Sequence, residues 1–325
     1  MNDIREFAAN FKNIIKNAEN IGIVGHMSPD GDAIGSALGL YDAVLQLNNN
    51  SYVLKIDEIP EYLNFLPGLD KFTEYSGEKY DVLITVDASS SDRIGDAVYA
   101  LENCRQSIVI DHHISNEKFG DINHVVADAS STSEVVFDLI EELGLSISED
   151  MASCIFVGIL TDTNRFLYSN SSSNTLRAAA KLMDTGFDKD YILYNLYQTN
   201  TMGSFRLTQK VIENTEFCYD DKAAIAVIDN DMLNICGADK YDIEDKINLI
   251  RDIRSVELAC LIKEVDDDIY KVSLRSKRFV DVSKICTEYG GGGHIHAGGF
   301  SFRGNLSELK TSLIKRFDEI DWSKI

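Results

Sequence analysis

The chain has 325 residues, of which 44% are hydrophobic and 26% charged, the balance of an ordinary globular protein with material for roughly two domains. Its net charge is −22, carried mainly by residues 1–205 (13 Lys+Arg against 31 Asp+Glu) and much less by residues 206–325 (18 against 22). Such acidity argues against binding long polyanions, which needs many basic residues on phosphates, and no apolar run approaches the ~20 residues of a membrane span.

The N-terminal stretch places Ile4, Phe7, Phe11, Ile14 and Ile15 on one helical face and lacks the basic start and apolar core of a signal peptide, so a cytoplasmic location is expected. The run Ile21, Ile23, Val24 reads as a short buried strand. It opens into a loop with His26, Pro29, Asp30, Gly31 and Asp32, after which a helical stripe runs over 33–47. One reading of this loop is a metal centre; the plainer one is a turn in which Asp32 caps the helix. Gly35, Ala37 and Gly39 would let that helix approach a sheet closely. A strand is expected at 52–56, and two continuous apolar runs follow at 82–86 and 107–110, each ending directly in an aspartate, Asp87 and Asp111. Runs of this kind fit strands buried on both faces of a parallel sheet.

Ser131-Thr132-Ser133-Glu134 matches a capping box before an apolar helix at 135–143. Ser148 opens a second, nearly all-apolar helix that ends at Thr161-Asp162-Thr163, and residues 174–185 read as another, with Gly186 as its stop. The alternation up to this point indicates a doubly wound, mainly parallel α/β domain over 1–186. A helical, tyrosine-rich connector is expected at 187–205. Residues 206–325 read as a smaller α/β domain with a mixed sheet: strands at 223–229, 256–264 and 269–275, a hairpin turning at Asp266-Asp267-Asp268, and a last helix near 305–320. The six cysteines (104, 154, 218, 236, 260, 286) are scattered without a CxxC pair, which suits buried free thiols in a reducing compartment.

Four strand or helix ends therefore carry the same residue types: His26/Asp30/Asp32, Asp87, Asp111-His112-His113 and Asp162. Any one aspartate after a strand has a dull explanation as a turn residue. Parallel strands, however, bring their carboxyl ends to one edge, where these groups can converge. Imidazoles and carboxylates without a thiolate favour a borderline-to-hard divalent ion such as Mn²⁺ over a structural zinc. Six ligands suit two ions bridged by a carboxylate, the arrangement that generates a nucleophile and clamps both oxygens of a phosphoryl displacement.

At these residues the chain resembles a known family. HMSPDGDAIGS, VDASSSDRIG, DHH at 111–113 and TDTNRF at 161–166 are similar to the four motifs of the DHH phosphoesterases, while SLRS at 273–276 and GGGGH at 290–294 resemble their DHH-associated C-terminal domain. The resemblance implies that His26, Asp30 and Asp87 hold one ion, and that Asp32, Asp87, His112 and Asp162 hold the other, with Asp87 bridging. It implies that His113 faces the substrate phosphate and that Asp111 orients the imidazoles from behind. Asn164 departs from the glycine common at that point and tolerates the left-handed backbone a helix end needs.

In the second domain Gly291, Gly292 and Gly293 would expose backbone N–H groups as an anion-binding nest, joined by His294, Ser276 and the planar fork of Arg275. Lys277 and Arg278 read either as lining of the same cleft or, the commoner case for exposed basic residues, as plain surface charge, and His124 reads as structural. Within the family the chain is most similar to the stand-alone nanoRNases, which degrade very short oligoribonucleotides and dephosphorylate 3′-phosphoadenosine 5′-phosphate. The expectation is a Mn²⁺-dependent hydrolase of short RNA and small nucleotides, acting by in-line attack of a bridging hydroxide. Long nucleic acid and membranes are not expected partners, and a homodimer is compatible. Two rival readings are a soluble phosphodiesterase of cyclic di-AMP or linear dinucleotides, and an inactive nucleotide-binding module, which would have lost some of the metal set.

Overall fold

The computed structural model describes residues 4–243 and 245–324. They form two compact units, one up to Gln198 and one from Thr199. The first unit begins with α1 (Ile4–Asn17), β1 (Ile21–Val24), α2 (Gly31–Leu45), β2 (Ser51–Lys55), β3 (Phe72–Glu74) and β4 (Val82–Val86). It continues with α3 (Val98–Asn103), β5 (Gln106–Asp111), β6 (Ile122–Val125), α4 (Thr132–Leu143), α5 (Glu149–Asp162), α6 (Ser173–Met183) and α7 (Lys189–Tyr197). Its six strands lie in the order β3-β2-β1-β4-β5-β6, every neighbouring pair parallel.

The central strands are continuous apolar runs because helices cover both faces. Ile84 and Val86 join the larger core with α1, α2, α4 and α5, while Leu83 turns to a smaller one with Ile94, Ala97 and Ala100. This is the doubly wound sheet expected. The chain switches direction between β1 and β4, the place where such sheets open a crevice at their carboxyl edge.

Three local expectations need correction. The residue that caps α2 is Asp30, whose carboxylate accepts from the N–H groups of Asp32 and Ala33, so Asp32 is released to face elsewhere. The small residues of α2 serve a helix crossing, not a sheet contact: a Cβ on Gly35 would stand 2.3 Å from the Cys154 carbonyl oxygen of α5. Ser131 caps α4 through the Glu134 N–H, but the reciprocal half of a capping box is missing. The Glu134 carboxylate instead accepts from the Ser130 N–H and hydroxyl and from Thr175.

The second unit contains α8 (Met202–Asn214), β7 (Glu216–Cys218), β8 (Ala223–Ile228), α9 (Asn230–Cys236) and α10 (Lys246–Arg251). Then come β9 (Leu258–Asp266), β10 (Ile269–Ser276), α11 (Val282–Glu288), β11 (Gly292–His294), β12 (Ala297–Arg303) and α12 (Leu306–Phe317). Its sheet runs β11-β12-β10-β9-β8-β7, with β8 and β9 parallel and every other pair antiparallel. One face is covered by α11 and α12 (Ile285, Leu309, Leu313, Phe317), the other by α8 and α10 (Leu207, Val211, Ile247, Ile250). The β9–β10 hairpin turns at the aspartate triplet, where Asp268 is left-handed. The stretch expected as one connector is two helices, α7 and the start of α8, broken between Gln198 and Thr201. The six cysteines are free thiols, and among the described residues no helix is long and apolar enough to cross a membrane.

Candidate metal centre

Four segments deliver ligand-type side chains to the carboxyl edge of the parallel sheet. His26 follows β1, and Asp30 and Asp32 open α2; Asp87 follows β4; Asp111 ends β5 and leads into His112 and His113; Asp162 is the last residue of α5. The register pairs Val86 with Ile110, so Asp87 and Asp111 emerge side by side. Asp87 holds a left-handed backbone (φ 56°) and donates its N–H to the Ile110 oxygen at 3.1 Å. A non-glycine residue in that region costs strain, which tends to persist where a site demands it.

The side chains converge in groups. Ligand atoms of His26, Asp30 and Asp87 lie within 4.8 Å of one another, as do those of Asp32, His112 and Asp162, and those of Asp87, His112 and His113. His26 Nε2 is 3.4 Å from Asp87 Oδ2, and His112 Nε2 is 3.4 Å from Asp162 Oδ2 and 3.9 Å from Asp87 Oδ1. The other nitrogen of each ring faces a backbone carbonyl: His26 Nδ1 lies 2.8 Å from Met27 O, and His112 Nδ1 3.4 Å from Ala129 O. With Nδ1–H donating there, both rings present a bare Nε2 to the carboxylates, the tautomer a metal ligand needs.

Behind these groups stands a rigid hydrogen-bonded frame. Both oxygens of Asp32 accept from the start of α4, from Thr132 N at 2.6 Å and Ser133 N at 2.8 Å. The Thr132 hydroxyl donates to Asp87 Oδ1 at 2.9 Å. Asp111 is fully buried and accepts from His113 Nδ1 and the His112 N–H at 2.8 Å, and from Asn116 Nδ2 at 2.6 Å. It therefore fixes the ring of His113 but only the backbone of His112. After Asp162 the chain turns through three successive left-handed residues, Asn164, Arg165 and Phe166.

Charge distribution explains what this frame is for. Burial, then the nearby carboxylates of Asp32, Asp30, Asp162 and Asp111, raise the pKa of Asp87 well above the usual carboxylate value. Burial and neighbouring carboxylates also raise Asp162, and burial raises Asp32 against the pull of His112. Asp111 behaves oppositely. Burial disfavours its charge, yet the bond from His113, the His113 and His112 rings and Asn116 together bring it below the usual value. For His113 burial works against the proton, but the bond and charge of Asp111 outweigh it and hold the imidazole above its ordinary value. Mutually repelling carboxylates, two aligned imidazole nitrogens and no thiolate fit a divalent cation, which supplies the missing positive charge.

Arg275 lies on β10, half-buried, with Nη1 donating to Leu274 O at 3.0 Å. Ser276 is buried; its hydroxyl donates to Val280 O at 2.6 Å and meets His296 Nδ1 at 2.9 Å, so it holds the local fold together. The glycine tract is no open nest loop. Gly292 to His294 form a strand paired with β12, and Gly293 (φ 140°) has no room for a side chain, since a Cβ would stand 2.3 Å from Ala297 O. The side chain of His294 lies outside the described residues.

Two residues of this neighbourhood escaped the sequence reading. Thr132 was visible only as part of a helix start, and nothing local marks it as a partner of Asp87. Arg93 sits inside the quoted VDASSSDRIG motif; its Nη2 donates at 3.5 Å to Met27 O, the same carbonyl that takes the His26 Nδ1 proton.

Comparison with known proteins agrees with this architecture. Residues 20–159 match the DHH family, N-terminal domain, and residues 224–320 match the DHHA1 domain. The bifunctional oligoribonuclease and PAP phosphatase NrnA of Thermus thermophilus is 33% identical over 288 residues, 87% of this chain and 84% of that protein. The protein of the same name from Bacillus subtilis is 29% identical over 281 residues, 85% and 87% of the two chains. The crystal structure of an exopolyphosphatase-related protein from Bacteroides fragilis superposes with a TM-score of 0.91 at 30% identity, covering 97% of this chain and 96% of that one. The chain thus belongs to the DHH family and is a metal-dependent phosphoester hydrolase.

Proposed function

We propose that this enzyme uses two Mn²⁺ ions to hydrolyse short oligoribonucleotides to mononucleotides and to remove a phosphate from 3′-phosphoadenosine 5′-phosphate. The observation that carries the reading is the meeting of two ligand groups, His26/Asp30/Asp87 and Asp32/His112/Asp162, with Asp87 within 3.9 Å of an imidazole from each. The substrates follow the combined activity for which the Thermus and Bacillus relatives are named. His26, Asp30 and Asp87 would hold one ion and Asp32, His112 and Asp162 the other, with Asp87 shared. When bound, such a pair supplies a nucleophile near neutral pH and neutralises charge on the attacking and leaving oxygens.

The chain's own residues do the rest. Asp111 takes the Nδ1 proton of His113 in a hydrogen bond and so turns that ring's far side toward the substrate, where it can give a proton to the leaving oxygen. Thr132 and the start of α4 keep Asp32 and Asp87 from swinging out of register. Arg275 and the glycine strand would grip the nucleotide portion, as guanidinium and backbone N–H groups suit phosphate. Six free thiols fit a cytoplasmic setting.

The test is a turnover comparison with Mn²⁺ across a diribonucleotide, a long single-stranded RNA, 3′-phosphoadenosine 5′-phosphate, cyclic di-AMP and pyrophosphate. We expect the diribonucleotide and 3′-phosphoadenosine 5′-phosphate to lead. A clear preference for cyclic di-AMP or pyrophosphate would overturn the substrate assignment and leave the metal site standing.

A further inference from the structure

The C-terminal unit contains a second feature that the metal chemistry does not use. A cavity of about 630 Å³ opens where β8 begins and β10 ends, and none of its lining residues belongs to the metal groups. That volume lies within the range of small-molecule sites. Its walls are cationic: Lys222, Arg254, Lys277, Arg278 and Lys324 line it, against Asp220 and Glu257. A local surplus of three positive charges is unusual in a chain of net charge −22.

Glu257 and the three lysines of this lining are engaged, Lys324 with Asp321 at 3.4 Å, and the arginines are not. Glu257 is buried, and its Oε1 accepts from the N–H groups of Arg278 and Phe279 at 2.8 and 2.6 Å, so it shapes the turn that presents these residues. Lys222 donates to Trp322 O at 2.8 Å, and Lys277 to Ile253 O. The guanidinium groups of Arg254 and Arg278 are exposed and have no hydrogen bond or ion pair among the described residues. Burial lowers the pKa of Lys277 against the opposing pull of the Asp252 and Glu257 carboxylates, with the positive charges of Arg251 and Arg278 adding less. Beside these cations Phe279, 53% exposed, offers an aromatic face. Planar forks that bind phosphate next to a ring that stacks on a base are the two halves of nucleotide recognition.

We propose that this pocket is a nucleotide site separate from the metal centre, with Arg254 and Arg278 on a phosphate and Phe279 against the base. The occupant is either a free mononucleotide or a distal nucleotide of an oligonucleotide, which share this chemistry. The experiment is equilibrium dialysis of 5′-AMP, adenosine and inorganic phosphate against the full chain in EDTA, where hydrolysis is off. 5′-AMP should bind with one equivalent per chain and adenosine at least about tenfold more weakly. The double variant Arg254→Glu/Arg278→Glu should weaken 5′-AMP at least about tenfold, and Phe279→Ala should weaken it about tenfold while leaving inorganic phosphate unaffected.

As a folding control, Mn²⁺-dependent hydrolysis of bis(p-nitrophenyl) phosphate should stay within about twofold of the parent in both variants, because none of these residues belongs to the metal groups. If KM for a triribonucleotide rises together with the loss of 5′-AMP binding, the occupant is part of an oligonucleotide. If KM is unchanged while 5′-AMP binding is lost, the occupant is a free nucleotide. No detectable 5′-AMP binding by the parent chain, or equal binding by the folded double variant, overturns the site.

Discussion

Asp87 carries several demands at once: a left-handed backbone, near-complete burial, a bond from Thr132, and contact with imidazoles on both sides. Asparagine tolerates the same backbone and is nearly isosteric, so Asp87→Asn separates charge from shape. We expect Mn²⁺-dependent hydrolysis to fall by more than about a hundredfold, since loss of a ligand exceeds the loss of a supporting contact. The metal-free variant should melt no lower than the parent, because one of several mutually repelling carboxylates is gone. Retention of full activity would remove Asp87 from the metal set.

His124 poses the opposite case, a titratable group with no part in the chemistry. Its ring stacks on Phe7 at 4.2 Å, its Nε2 has no partner among the described residues, and burial pushes its pKa down to about 4. The unfolded chain protonates this imidazole near 6.5, whereas the folded chain resists until about 4, so folded stability falls as pH drops through that window. Between pH 7 and pH 5 the loss is about 2 kcal/mol. Urea midpoints at these two pH values should therefore differ less in His124→Phe than in the parent, and an unchanged difference would contradict the assignment.

Among elements, the crossing of α2 and α5 decides whether the site is built, because these helices carry Asp30, Asp32 and Asp162. Gly35 lets the two backbones touch, and Gly35→Ala should cost about 1–3 kcal/mol in urea unfolding, through forced separation of the helices. The sequence exposes the small residues of α2 but not their purpose, since the partner backbone, at Cys154, arrives 119 residues after Gly35. The long apolar runs of β4 and β5 were legible because burial on both faces leaves no other composition. The short or edge strands β3, β6, β7 and β11 were not, having too few residues to set a period.

The convergence of His26, Asp30, Asp32, Asp87, His112 and Asp162 was readable from the rule that parallel strands end on one edge. Thr132 was invisible for the same kind of reason that Gly35 was misassigned: its partner is supplied by tertiary folding. The glycine tract at 290–293 looked like a loop because glycine marks an open turn and a tightly paired hairpin alike.

For the whole molecule, each unit has its own cores, but the acidic excess belongs mainly to the first. Residues 1–205 hold most of the acidic excess and, among the described residues, every metal-type ligand group, while the second unit has its own two cores around a separate sheet. A ligand stabilises what it binds in the folded state, by about 2.7 kcal/mol at a concentration a hundred times Kd. For a unit of this size that corresponds to a rise of roughly 5–10 °C in Tm. The chain's single tryptophan, Trp322, stacks on Tyr219 at 4.6 Å in the second unit and so reports its unfolding alone. Mn²⁺ should therefore raise a calorimetric transition of the first unit while the Trp322 fluorescence midpoint stays nearly fixed, and EDTA should reverse the rise. If the Trp322 midpoint climbs in step with the calorimetric one, the two units unfold as a single cooperative block, and separate cores are not enough to make them independent.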